Sequence, residues 1–380
     1  MGSTRRLTLA IGFTQTLAWA TTYYIPATMV GAASADLGAS RTLLLGGFSL
    51  ALLVCGLSSP WVGRRIERLG GRGVIAISAL VNAAGLALLA ASPSVAVWYI
   101  AWGITGFGMA MGLYDAAFGT LGRLLGNHAR PAIVGVTLMA GFASTLGWPT
   151  GTWLVVHVGW RASVAAYAVM QLLVILPMTL IFVPKAPALM PSSGPMDTTA
   201  LPPPNSTFLW LASFFTLRAA VSSIVSVHAL VLLQGMGFSL ETAVAAATLI
   251  GPAQVGSRVL DWYFGREMNP MIAAWVGAAM LPVSVLALIL GGPAVAFTVL
   301  YGLSNGILTI SRGTLPLHVF GPAGYATRLG RLALPSMLIS AVTPTLVSPL
   351  IALWPASWVA AAMGAVSIVA MACLLGLRRR

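Results

Sequence analysis

Charge is scarce in this chain, and acidic charge scarcer still. Charged residues make up 7% of the sequence, with seven Asp and Glu against twenty Lys and Arg. A water-soluble domain of this length would need several times more charge to cover its surface, so that class is excluded. The acids form no paired carboxylates, and no Ser–His–Asp set appears, so enzyme activity is not expected. Cysteine is limited to Cys55 and Cys373, each inside an apolar run. That excludes a disulfide framework and, with no clustered His or Cys, a metal site. No cofactor is expected. Lysine is nearly absent, and the use of Arg in its place points to a GC-rich bacterial genome.

What the chain has in quantity is apolar sequence, 58% of all residues. It comes in runs of about twenty residues, the length a helix needs to cross a hydrocarbon core of about 30 Å. Helices satisfy their own backbone hydrogen bonds, which lipid cannot do for irregular chain. Spans are predicted at 7–33, 42–63, 74–92, 95–121, 131–156, 161–183, 207–233, 240–260, 270–290, 293–314, 331–354 and 357–377. Met1–Arg6 and the first run imitate a signal peptide. The run is too long for that and contains Gln15, Tyr23 and Tyr24, so it reads as a retained first helix.

The net charge of +13 does not read as a nucleic-acid footprint, because the basic residues sit between apolar runs and not on one face. They read as topology signals. An even number of spans puts both termini on one side. With the termini inside, that side holds Arg5, Arg6, Arg64, Arg65, Arg68, Arg72, Arg123, Arg130, Lys185, Arg258, Arg266, Arg328, Arg331 and Arg378–Arg380. The outside holds Arg41 and Arg161. This asymmetry predicts cytoplasmic termini. The Pro- and Ser-rich segment 184–206 reads as a flexible cytosolic linker. It separates an N-terminal six-helix bundle, 1–183, from a C-terminal one, 207–380.

The halves echo each other. Val62-Gly63-Arg64-Arg65 after span 2 recurs as Val255-Gly256-Ser257-Arg258 after span 8, and Gly106 and Gly108 have looser counterparts in Gly302 and Gly306. Two parallel six-helix repeats are a standard plan for a secondary transporter, with its substrate site near the midplane. The glycines of span 4 are not a phosphate loop, since no strand precedes them; small residues at this spacing let helices approach closely.

The segment after span 2 reads Gly63-Arg64-Arg65-Ile66-Glu67-Arg68-Leu69-Gly70-Gly71-Arg72. It resembles the signature loop of the major facilitator superfamily: Gly, three residues, an acid, a base, one residue, Gly, one residue, a base. Gly-Trp-Arg at Gly159–Arg161 is also typical of that family. Span count, linker and half-repeat extend the resemblance over the whole chain, which looks most like bacterial monocarboxylate and oxalate–formate carriers. The resemblance implies an all-α integral membrane fold of twelve helices in two pseudo-symmetric six-helix bundles. It also implies a latch of the outward-open state at Gly63, Glu67, Arg68, Gly70 and Arg72, with Glu67 facing the N-terminus of a helix from the other half. Ordinary inside-positive charges are the alternative. In the second copy Leu260 takes the acid position and Asp261 follows it, so a second latch is not expected. Span 5 ends Gly147-Trp148-Pro149-Thr150-Gly151, which departs from the family's antiporter motif and counts against proton/drug antiport.

Few polar residues lie inside the spans. Arg218 falls near the centre of span 7, where insertion costs about 2.5–3.5 kcal/mol and such residues face a cavity or a partner. Its planar fork suits a carboxylate, so it is the first candidate for binding an anionic substrate; a structural Arg between helices is the alternative. Asp115 is the acid set well inside a span, and the glycine alignment places Arg312 at nearly its depth. The two suggest a charge-paired cytosolic gate, or Asp115 a proton carrier, against two charges each solvated near a helix end. His228 is a candidate for proton coupling, although a lone His is more often a packing residue. Tyr23 and Tyr24, with Pro26, are expected either to break span 1 beside the site or to join an interfacial aromatic belt. Asn305 is a further cavity candidate; Gln15 and Gln254 rank below it.

The sequence therefore reads as a monomeric secondary active transporter of a bacterial inner membrane, moving a small organic anion by alternating access, with proton coupling open. The lipid bilayer is its other partner. An efflux pump for drugs or other amphipathic compounds is the alternative within transport, and a transport-dead sensor or scaffold the alternative outside it.

Overall fold

A computed structural model describes residues 2–186, 205–264 and 269–377. Most of the predicted linker, Arg266 and Arg378–Arg380 lie outside the described residues. Among the described residues the structure is helical throughout, without strands.

The first crossing is two helices, α1 (Gly2–Thr21) and α2 (Ile25–Leu37). Pro26 at the start of α2 has no N–H to bond Thr22, so the helix restarts there. Crossings two and three are α3 (Arg41–Leu69) and α4 (Gly71–Ala90); the fourth is α5 (Val95–Gly112) with α6 (Tyr114–Leu125). A short 3-10 turn leads to α7 (Ala129–Ala140) and α8 (Ala143–Met170), then a π-turn at Gln171–Ile175 and α9 (Leu176–Phe182). The apolar stretch Val95–Phe182 has 88 residues, at 1.5 Å each far more than one bilayer thickness. It turns back at the 3-10 segment and again at Gly159, whose φ of 81° and ψ of 162° interrupt α8. It thus holds crossings four, five and six.

The second half has α10 (Asn205–Gly235), α11 (Leu240–Thr248) followed directly by α12 (Ile250–Phe264), α13 (Pro270–Ile289), α14 (Ala294–Phe320), α15 (Tyr325–Leu353) and α16 (Ala356–Cys373). These supply crossings seven to twelve. In this half Val221, Leu232, Val285, Phe297 and Met363 meet in one core.

Packing divides the chain into two compact units, 1–191 with 321–334, and 192–320 with 335–380. The boundary cuts α15, whose first turns group with the first unit. In the first unit α4 and α5 approach closely through Gly108 and Gly112. A Cβ on Gly108 would stand 2.2 Å from Asn82 Oδ1, and one on Gly112 2.0 Å from Ser78 Oγ.

Three expectations need correction. The signature segment is not a loop: α3 stays helical to Leu69, and the turn is made by Gly70 alone, at φ 79°. Span 11 starts earlier than expected: α15 begins at Tyr325, so Arg328 and Arg331 lie in its first two turns. Span 4 is interrupted at Leu113, whose extended backbone (φ −88°, ψ −168°) ends α5 and starts α6. This places Asp115 in the first turn of a separate helix.

Candidate functional site

Arg218 lies at the middle of α10, as the span predicted. Its guanidinium donates to Asn305 Oδ1 on α14, so two residues singled out separately from sequence meet directly. The same oxygen accepts from Ser222 Oγ at 3.3 Å, and Tyr301 Oη donates to the Ser222 carbonyl at 3.4 Å. Ser222 and Tyr301 went unnoticed in the sequence, where hydroxyls in apolar spans carry no signal of their own. Arg218 makes no ion pair among the described residues. Its Nε is sealed from solvent with no hydrogen-bond partner, a costly state for a charged donor. Arg258 and Arg312 are near enough to act on it electrostatically. The cluster is rich in cationic donors.

Arg312 stands 6.0 Å from the Phe215 ring centre, within cation–π range. Gly106 abuts Ala51 of α3, and Gly302 likewise abuts Ile250 and Ala253 of the second-half counterpart; Gly108, however, faces α4 while Gly306 faces α12. His228 places Nε2 3.1 Å from the Pro344 carbonyl, a packing contact to α15. Leu260 is exposed, whereas Arg258 and Asp261 are both buried.

In the first unit Asp115 shares a small cavity with Gly63, Ile66, Ala326 and Gly330. Above it along α1 the break at Thr22–Tyr24 carries an aromatic group. Trp19 packs 4.8 Å from both Tyr23 and Tyr114, and Tyr23 meets Tyr24 at 5.5 Å and Phe48 at 5.2 Å, centre to centre. Gln15 donates Nε2 to the Gly112 carbonyl at 2.6 Å, tying α1 to the end of α5. Gln171, in the π-turn, donates to Thr21 Oγ1 at 2.9 Å.

The signature residues divide their contacts. Glu67 Oε2 accepts the N–H of Ala326 at 3.1 Å, in the first turn of α15, where unpaired N–H groups and the helix dipole favour an anion. Gly63 lies against the same turn: a Cβ there would stand 2.4 Å from the Ala326 carbonyl oxygen. Arg72 instead donates to the Leu180 carbonyl at 2.5 Å, Arg68 is exposed, and Gly70 makes the turn.

A polytopic helical bundle with cationic and amide donors set at mid-span is the architecture of a membrane transporter. The Major Facilitator Superfamily profile matches residues 8–321, and the chain belongs to that superfamily: a multi-pass membrane transporter of the twelve-helix fold, not an enzyme. Its fold is similar to the human organic anion transporter MFSD10 (TETRAN), with a TM-score of 0.79 at 16% identity over 98% of this chain and 99% of that one. The proton:xylose symporter XylE, bound to 6-bromo-6-deoxy-D-glucose, gives 0.76 at 14% identity over 98% and 95%. FucP in its outward conformation gives 0.68 at 13% identity over 97% and 96%. A Thermoproteus tenax protein described as an uncharacterized 38 kDa protein in the 23S RNA operon is 29% identical over 287 residues, 74% of this chain and 71% of that one.

Proposed function

We propose that this transporter is a secondary carrier of small organic anions, monocarboxylates among them, working by alternating access in a bacterial inner membrane with both termini cytoplasmic. The observation that carries this is Arg218: a cation at mid-span, anchored by a neutral amide, with one donor lacking an acceptor. A carboxylate supplies the missing acceptor and the missing charge, and Arg258 and Arg312 add to the attraction. The name of MFSD10, an organic anion transporter, is in keeping with this reading. Bundles 1–183 and 207–380 would move against each other about linker 184–206, with the monomer as the working unit. Glu67 and Gly63 would act as the latch. His228 and Asp115 are the groups proposed for proton coupling, and pairing of Asp115 with Arg312 as a gate is tested by exchanging the two charges.

The test is stabilisation of the detergent-purified protein by a carboxylate panel (acetate, lactate, oxalate, benzoate). Arg218→Ala should weaken binding by about 2–5 kcal/mol, the usual effect of removing one partner of a buried charge pair. Arg218→Lys, which keeps the charge and loses the fork, should fall between. Undiminished binding by Arg218→Ala would refute the anion reading. Efflux of amphipathic compounds is the second reading, favoured by the partly open rings of Trp19, Tyr23, Tyr24 and Tyr114.

A further inference from the structure

Two buried polar atoms on α1 have no partner. Gln15 is 1% exposed, and while its amide nitrogen is used on Gly112, its Oε1 accepts nothing. Trp19 Nε1, likewise sealed from solvent, donates to nothing. Buried polar atoms are satisfied in the great majority of cases, and one left over asks for a reason. Here an orphan acceptor and an orphan donor sit four residues apart on one helix, so they lie on the same face, one turn from each other. Rings cover that face: Tyr114 and Tyr23 each pack 4.8 Å from Trp19. Trp19, Tyr23, Tyr24, Tyr114 and Phe48 all remain partly exposed, whereas the rings behind them, Trp102 and Phe118, are fully buried. The backbone on either side is irregular, at Thr22–Tyr24 and at Leu113. At membrane depth such backbone persists where it is enclosed by protein or lines a cavity.

We infer that Gln15, Trp19 and Tyr114 form a binding subsite for a planar, neutral group that carries a hydrogen-bond donor beside an acceptor. The donor would meet Gln15 Oε1, the acceptor Trp19 Nε1, and the flat face the ring of Tyr114. The subsite deepens the reading of the protein as a carrier, rests on its being a transporter, and does not depend on Arg218. A simple probe of this chemistry is benzamide, whose amide has both groups on a ring.

The experiment measures benzamide-induced stabilisation and apo-protein stability for the full chain in detergent. Trp19→Phe removes the orphan N–H together with the pyrrole half of the indole. If that N–H serves a ligand, benzamide binding falls about tenfold, while the apo protein loses only the stability that the smaller ring costs in packing. Gln15→Leu should also lose benzamide binding, with an apo cost from the lost Gly112 contact. Trp153→Phe, on an exposed apolar position, should change neither. Arg218→Ala should keep benzamide binding, which separates this subsite from the anion site. The proposal is overturned by either of two results: benzamide does not bind the wild type up to its solubility limit, or Trp19→Phe binds it as the wild type does.

Discussion

Ser223 in α10 donates its hydroxyl to the backbone carbonyl of Ser340 in α15, 2.8 Å away. That carbonyl needs a side-chain donor because the residue four positions on is Pro344, inside the same helix. Proline has no N–H with which to close the usual helical bond. Ser223→Ala should therefore cost about 1 kcal/mol, since the acceptor it leaves unpaired is only half-buried. In a Pro344→Ala background the backbone N–H returns, and the same Ser223→Ala change should cost a small fraction of that. Thermal unfolding of the four proteins of this cycle in detergent decides the matter. Equal costs in both backgrounds would mean that the hydroxyl is not replacing the missing amide.

Gly63 and Gly73 make a controlled pair ten residues apart. A Cβ on Gly63 would press on the Ala326 carbonyl oxygen, at 2.4 Å, while one on Gly73 meets nothing within 4 Å. Gly73→Ala, in the exposed first turn of α4, should be neutral or stabilising by up to about 1 kcal/mol through helix propensity. Gly63→Ala should instead push α15 from α3 and break the Glu67 contact, lowering stability and transport together. Glu67→Gln keeps an acceptor for Ala326 and loses only the charge at the helix terminus, so its cost should stay at about 0.3–1 kcal/mol. Opposite signs for the two glycine changes are the result to look for. A Gly63→Ala protein that behaves like Gly73→Ala would remove the close approach from the latch proposal.

The crossings were legible in the sequence because lipid leaves one solution to a twenty-residue apolar run, and the irregularities were legible only where proline caused them. Pro26 announced the break in span 1. Leu113 breaks span 4 with no such marker, among glycines that served helix packing, and the π-turn at Gln171–Ile175 is equally silent. Helix ends were misjudged where charged residues remain helical beyond the hydrocarbon, as at Gly63–Leu69 and at Arg328 and Arg331. Of the candidate site, Arg218 stood out from the expense of a charge in lipid, and Asn305 from the place that the family resemblance gives span 10. Their mutual contact, with Ser222 and Tyr301 around it, depends on helix rotation that no local pattern encodes. Gln15 ranked low in the sequence, and Trp19 looked like any apolar aromatic. Their unsatisfied atoms became visible only with the neighbours in place.

Arg161 and Asp36 form a clasp on the predicted outer face. Arg161 Nε and Trp160 Nε1 both donate to Asp36 Oδ2, at 2.9 and 3.1 Å, and Arg161 also caps the Ala90 carbonyl at 2.8 Å. Arg161 and Asp36 are 38% and 46% exposed, so solvent screens the charge term. Asp36→Asn should cost no more than about 1 kcal/mol, and the difference from wild type should shrink in 1 M salt, where the screening length falls to about 3 Å. Arg161→Ala should cost more and depend less on salt, because it also uncovers the end of α4 and the Trp160 ring beneath the guanidinium. Melting curves at low and high salt read both effects. A salt-independent Asp36→Asn penalty would assign the clasp to hydrogen bonding alone.

Asn305→Asp separates what Arg218 does for stability from what it does for a substrate. The substitution changes the amide that anchors Arg218 into a carboxylate of nearly the same shape. An internal carboxylate brings the opposite charge that the anion reading reserves for the ligand and can accept from the guanidinium fork in two parallel bonds. The folded protein should therefore be as stable as the wild type or more so. Carboxylate binding should nevertheless be lost, because the cation is already neutralised and a second anion would enter beside a like charge. Asn305→Leu should lose binding too, but with a drop in stability, since Arg218 then lacks its anchor. The combination of intact stability and lost anion binding in Asn305→Asp is the diagnostic result. If Asn305→Asp binds acetate, lactate, oxalate and benzoate as the wild type does, Arg218 is a strut between α10 and α14. Should uncharged amphipathic compounds then be carried unchanged, the efflux reading is the one that stands.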